Sequence, residues 1–181
     1  MKNSAENPDS ALRQILRNNY SQEHSKFDEQ EFQQNWHLDF FILFGMLNRF
    51  VKMQHRINGG DLTMHMVVAE IWIYNIGKRL AASTSPPESE ELATNEGRRR
   101  TLPKCNAYSI SLALEMSPET VRRKVKKLMD MGWVERSPGG ELMVTAECEK
   151  AYNPQVNLEI VRDFVATARV LMKRMNLKLE P

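Results

Sequence analysis

Cysteine is scarce in this chain: the two thiols, Cys105 and Cys148, among 181 residues cannot build the disulfide framework of a small secreted domain. Long apolar runs are lacking too. The longest, Phe40 to Leu47, reaches less than half of the roughly 20 residues that a bilayer-spanning helix needs, and His37, Asp39 and Arg49 flank it closely. No membrane span is expected. No charged-then-apolar leader with a small-residue cleavage site opens the sequence, and the expected localisation is cytoplasmic. His24, His37, His55 and His65 have no tight mutual spacing and no cysteine pair nearby, so no metal is expected. Neither a nucleophile in a recognised elbow nor a glycine-rich phosphate loop occurs, and the carboxylates are scattered. The chain is therefore not expected to be an enzyme, and no cofactor is implied.

A large net charge is also absent, since the formal sum is +2. The charges are segregated instead. From Ser83 to Glu96 the sequence holds four glutamates and no base, whereas Arg98 to Lys127 holds nine Lys or Arg against two Glu. A locally basic stretch points to a polyanion partner, or simply to a solvated helix face beside a solvated loop.

Periodicity is helical nearly everywhere, which predicts a mostly α protein. Asp9 and Ser10 can cap a first helix bearing Leu12, Ile15 and Leu16. A longer helix over about Glu31 to Ile57 is rich in apolar residues such as Trp36, Phe40, Phe44 and Phe50, and Asn58-Gly59-Gly60 stops it. Thr63 can then cap a helix over Met64 to Leu80, which carries apolar residues on almost all sides and should be deeply buried at the centre. Pro86-Pro87 and the acidic stretch around them cannot bury much apolar surface and read as a linker or insertion. From Asn157 to Met175, Ile160, Val161, Phe164, Val165, Leu171 and Met172 form the stripe of a strongly amphipathic helix. Four regions follow: residues 1–82, helical; 83–97, acidic and flexible; 98–147; and 148–181, a C-terminal helix.

The informative segment is Cys105 to Thr145. Asn106 is a good N-cap for a short helix whose apolar face is Ile110, Ala113 and Leu114. Glu115-Met116 ends it. Ser117 opens the next helix as N-cap, with Pro118 at the first helical position, where its missing N–H costs nothing. Two helices joined by so short a turn must cross steeply. In the second of them Val121, Val125, Leu128 and Gly132 lie within a narrow arc and pack inward. The opposite arc is Glu119, Arg123, Lys126 and Asp130, flanked by Thr120 and Lys127 on one side and Arg122 on the other. Pro118 to Met131 spans about 21 Å at about 1.5 Å per residue, a length that fits a DNA major groove. Gly132 terminates the helix, Trp133 to Arg136 runs extended, and Ser137-Pro138-Gly139-Gly140 suits a type II turn into a returning strand, Glu141 to Thr145. A hairpin placed directly after a recognition-type helix is a wing.

The segment resembles the winged helix-turn-helix domains of the GntR and MarR families of bacterial regulators. Ser117, Thr120-Val121-Arg122, Leu128 and Gly132-Trp133-Val134 carry the likeness, and Leu142 to Tyr152 resembles the passage after the wing in MarR proteins. The resemblance implies a DNA-binding region over 98–147 in which Ser117, Glu119, Thr120, Arg122, Arg123, Lys126 and Lys127 present the helix to bases and phosphates. Arg136 in the wing would reach the backbone or minor groove. It further implies a homodimer that sets two recognition helices about 34 Å apart on double-stranded DNA. The C-terminal and N-terminal helices would form the dimer, and repression is the commoner outcome. The chain departs from these families at Glu115, where they commonly have Gly. A left-handed conformation there would cost about 1 kcal/mol, so a different turn is expected. The MarR-type Asp-x-Arg-Arg of the wing is also missing.

Other readings stay open at this level. A winged helix can serve as a protein-interaction module without touching DNA. Arg98-Arg99-Arg100 suits a nucleic-acid arm or a solvated linker end. Cys105, close to the basic helix, suits a redox sensor or a spectator thiol. The aromatic and Met-rich helices from Trp36 to Leu80 suit core or dimer packing, or the lining of a small-molecule effector pocket. Glu119, one turn before Arg123, is placed to hold its guanidinium.

Overall fold

The computed structural model describes residues 29–77 and 92–175. The helix expected after Asp9, the end of the Met64 to Leu80 helix and most of the acidic linker lie outside them. The described chain is mostly helical, with one small three-stranded antiparallel sheet. No described helix is long and apolar enough to cross a membrane.

By contacts the described chain divides at Gly60/Asp61 and again at Ala151/Tyr152. The unit running from Asp61 to Ala151 contains α2 (Leu62–Trp72), α3 (Asn95–Thr101), β1 (Cys105–Asn106), α4 (Ala107–Ala113) and α5 (Pro118–Asp130). It continues with β2 (Val134–Arg136), β3 (Glu141–Val144) and α6 (Ala146–Ala151). The sheet order is β1-β3-β2. In register, Cys105 pairs with Leu142 and Val134 with Val144. Helix α2 is central, packing on α4, α5 and β3. Its buried face is Met64, Val67, Val68 and Ile71, while Met66 and Trp72 are exposed. Burial on almost all sides is thus not found; Leu62, Met66 and Trp72 face outward. Its cap is Asp61 and not Thr63: the Asp61 carboxylate accepts from the Met64 N–H at 3.0 Å.

After Trp72 the helix widens into a π turn, Ile73–Gly77. π turns insert an extra residue and redirect the side chains around it. Asn75, fully buried, is bonded to the sheet and to Pro103, two residues before β1. Its Nδ2 donates to the Pro103 carbonyl at 2.6 Å and more weakly to Leu142 at 3.5 Å, and its Oδ1 accepts from the Val144 N–H at 3.0 Å. Both faces of β3 are covered. Leu142 and Val144 are wholly buried, and Met143 packs on the other side with Ile76, Leu102 and Leu92. Leu92 and the Thr94 cap of α3 show that the last residues of the expected linker are packed rather than loose.

The hairpin turn differs from the expected type II. The positive φ falls on Gly140 (85°), not on Gly139. The Gly140 N–H bonds to Ser137 O at 2.9 Å and the Ser137 N–H to Glu141 O at 2.8 Å. This is the pattern of a type I turn closed by a left-handed glycine, which matches strand twist better than a type II turn does.

The other unit holds α1 (Glu29–Ile57) and α7 (Pro154–Arg174). Arg49 forms two bonds to Asp163 at 2.7 and 2.8 Å, and Arg174 bonds to the buried Asp39. Acid 39 and base 49 of one helix thus meet base 174 and acid 163 of the other, so the pair is antiparallel and in one register. A parallel arrangement would set like charges together. Asn58, buried at the end of α1, bonds Gln54 O and the Tyr152 hydroxyl. Among the described apolar residues of this unit, Met46 is the one that is buried, while Trp36, Phe40, Phe44, Val161, Phe164 and others are exposed.

Removing Asn75 would strand the buried Val144 N–H and Pro103 C=O, each worth about 1 to 3 kcal/mol when left without a partner. Asn75→Ala is expected to lower unfolding free energy by roughly 3 kcal/mol in a urea titration. A loss below about 1 kcal/mol would mean that the side chain is not what ties α2 to the sheet.

Candidate nucleic-acid interface

Helix α4 begins with a reciprocal cap. The Asn106 side chain accepts from the Ser109 N–H, and the Ser109 hydroxyl accepts from the Asn106 N–H. Ile110 is buried, but the second buried residue is Ser111, whose hydroxyl donates to the Tyr108 carbonyl. The expected Ala113 is exposed. The turn that follows keeps a left-handed residue despite lacking glycine, with Glu115 at φ 52°. The expected different turn is therefore not found. Two backbone bonds hold the strained residue, Glu115 N–H to Leu112 O and Met116 N–H to Ser111 O.

Ser117 caps α5 through the Thr120 N–H at 3.1 Å and bonds the Thr120 hydroxyl at 2.8 Å. Both are thus engaged in starting the helix. Val121, Val125 and Leu128 are buried, and Gly132 ends the helix at φ 71°. On the exposed side lie Glu119, Arg122, Arg123, Lys126 and Lys127, and Arg136 is exposed in β2. All eight residues singled out from the sequence belong to this one unit.

Their charges are not equivalent. The Asp61 carboxylate that caps α2 also receives Lys124 Nζ at 2.6 and 2.8 Å and lies 3.7 Å from Lys127 Nζ. Lys124 was absent from the sequence-based set because its partner lies 63 residues away. Glu119 pairs with Arg122 at 3.6 Å, not with Arg123 as expected, so the contact is i,i+3 rather than i,i+4. Arg123, Lys126 and Arg136 have no ion-pair partner among the described residues. The Arg136 guanidinium lies over Gly140, where an added Cβ would come within 3.4 Å. The free cations of this surface are therefore Arg123 and Lys126, one turn apart on α5, and Arg136 on the hairpin.

The arginine run is also divided. Arg98 is fully buried and ion-paired to Glu149 of α6. Arg99 makes a bidentate pair with Glu135 at 2.7 and 2.8 Å. Arg100 alone is exposed without a partner among the described residues, so the run is neither a free arm nor a solvated end. The thiols are buried, and burial pushes both Cys105 and Cys148 up to about 12. Cys105 also directs its S–H at the Leu142 carbonyl. A thiol so placed carries almost no thiolate at neutral pH, which removes the basis of the redox-sensor reading. Among the described residues no group of His, Cys, Asp or Glu could hold a metal.

Partial burial works against ionisation of Asp61, but the Lys124 hydrogen bond, the Met64 N–H and the two lysine charges outweigh it and hold the carboxyl below its usual range. Its contribution is present above the unfolded-state value, about 3.9, and is lost as pH falls through the lower folded value. Asp61→Asn keeps the cap but leaves Lys124 without its counter-charge. We expect a loss of roughly 2 kcal/mol at neutral pH, less than for a wholly buried pair. The gap between variant and parent should narrow as acidification proceeds below about pH 4, measured by urea unfolding across pH. A gap that is constant with pH would show that the charge of Asp61 is not what is lost.

No protein-family model matches the chain, and no significant match exists among curated proteins or solved structures.

Proposed function

We propose that the chain is a sequence-specific DNA-binding transcriptional regulator, with Asp61 to Ala151 folded as a winged helix-turn-helix of MarR-like type. The run α3, β1, α4, α5, β2, β3, with α2 ahead of it and a β1-β3-β2 sheet, supports that reading of the fold. One observation carries the function. The outward face of α5 presents Arg123 and Lys126 unpaired, and Arg136 stands unpaired on the adjacent hairpin. Helix α5 enters the major groove, where Arg123 meets a guanine edge and Lys126 a phosphate. Arg136 meets phosphate beside the groove.

The protein acts as a homodimer. The exposed apolar stripes of α1 and α7, with a single apolar residue buried between them, need a cover, and a second copy supplies it by closing a four-helix arrangement. Two-fold symmetry then matches a pseudo-palindromic operator, and occupation of that operator represses by obstruction. The competing reading is a winged helix bound to protein. It draws on Tyr108 and Leu112, both exposed on α4.

Salt separates these readings. On duplexes recovered from a random pool, Arg123→Ala should weaken binding by about 1 to 3 kcal/mol and relax preference at one base position. Arg136→Ala should weaken all sequences alike and lower the slope of log affinity against log salt by roughly one. Retention on duplex DNA that is insensitive to salt, or absent, would favour the protein-binding module.

A further inference from the structure

We propose that Glu119 is a specificity-determining residue that accepts a hydrogen bond from the N4 amino group of a cytosine in the major groove; this rests on the duplex-binding reading above. Glu119 stands opposite the buried Val121, Val125 and Leu128, on the same outward column as Arg123 and Lys126. It belongs to the first turn of α5, the part of a recognition helix that reaches deepest toward base edges. Its side chain is 83% exposed. The helix start does not need it, since Ser117 already takes the Thr120 N–H.

A carboxylate at this point faces a polyanion and is repelled unless it meets a donor. Favourable interaction with the helix dipole explains an acid somewhere in the first turn, but not one on the outward column. Arg122 offsets part of the charge from the flank. Its Nη1 lies 3.6 Å from the Glu119 carboxylate, too long for a hydrogen bond, so the acceptor capacity of Glu119 is unspent. Among base edges in the major groove, guanine offers two acceptors and thymine one acceptor and a methyl group. Adenine mixes an acceptor with a donor, and cytosine presents a donor only. An acceptor-only carboxylate therefore matches cytosine. Arg123, four residues on and about 6 Å further along the helix axis, can reach a guanine one or two steps away.

The test is site selection from random duplexes with the full chain and with Glu119→Ala and Glu119→Gln. The parent is expected to select cytosine at one position of each half-site with roughly tenfold discrimination. Glu119→Ala should lose that preference and leave the other positions unchanged. Glu119→Gln should move it to adenine, whose N6 and N7 match an amide. An identical motif from all three proteins, with Glu119→Ala binding every sequence more tightly, would overturn the proposal and leave Glu119 as a repelled bystander. Failure of the broader reading looks different: the parent itself recovers no motif and shows no salt-sensitive retention, which overturns both.

Discussion

A helix that turns its cations outward must still bury one face, and on α5 that face includes a lysine. The Asp61 carboxylate makes this tolerable. Its Oδ1 closes the first turn of α2, and both oxygens receive the Lys124 ammonium. A buried ammonium without such a partner would cost several kcal/mol or deprotonate. One acid thus joins the cap of the central helix to the orientation of α5, and the outward column of α5 follows from that orientation. Asn75 does the corresponding work at the other end of the helix. Its amide substitutes for a neighbouring strand by satisfying Val144 and Pro103, which fixes β3 and with it the hairpin that carries Arg136.

The same carboxylate changes the meaning of the basic stretch. Nine cations between Arg98 and Lys127 suggest a uniformly positive surface, yet structure divides them. Arg98, Arg99, Lys104, Arg122, Lys124 and Lys127 have acidic partners, and those that are exposed pairs contribute little to stability. Their effect is subtractive: they withdraw charge from the flanks and leave Arg123, Lys126 and Arg136 as the free cations of the α5 and hairpin surface. A surface sparse in free charge suits reading of particular bases better than indiscriminate attraction to phosphate.

Much of this region was legible in the sequence because short-range rules decide it. Asn106, Ser117-Pro118 and Gly132 are capping residues at the positions where α4 and α5 begin and end. The spacing of Val121, Val125 and Leu128 oriented α5. What escaped depends on distance or on rotamers. Asp61 and Thr63 are both good caps, and nothing local tells which one faces Lys124. Glu119 can reach Arg122 or Arg123, three or four residues on, and the choice is a side-chain torsion. Asn75 sits in an apolar run with no sign of its partners 28 and 69 residues away. A strand of two residues, Cys105–Asn106, is too short to show alternation. Trp36 and Phe40 suit core packing, dimer packing or a pocket lining alike, and the chain alone leaves them exposed, because periodicity reports an apolar face and not what covers it.

The most direct measurement of the central claim is methylation interference at guanine N7, which lies in the major groove, on a duplex selected by the full-length chain. Insertion of α5 predicts two patches of interference on one side of the duplex, with centres about 10 base pairs apart or a multiple of that. Binding that is indifferent to N7 methylation at every guanine would contradict it.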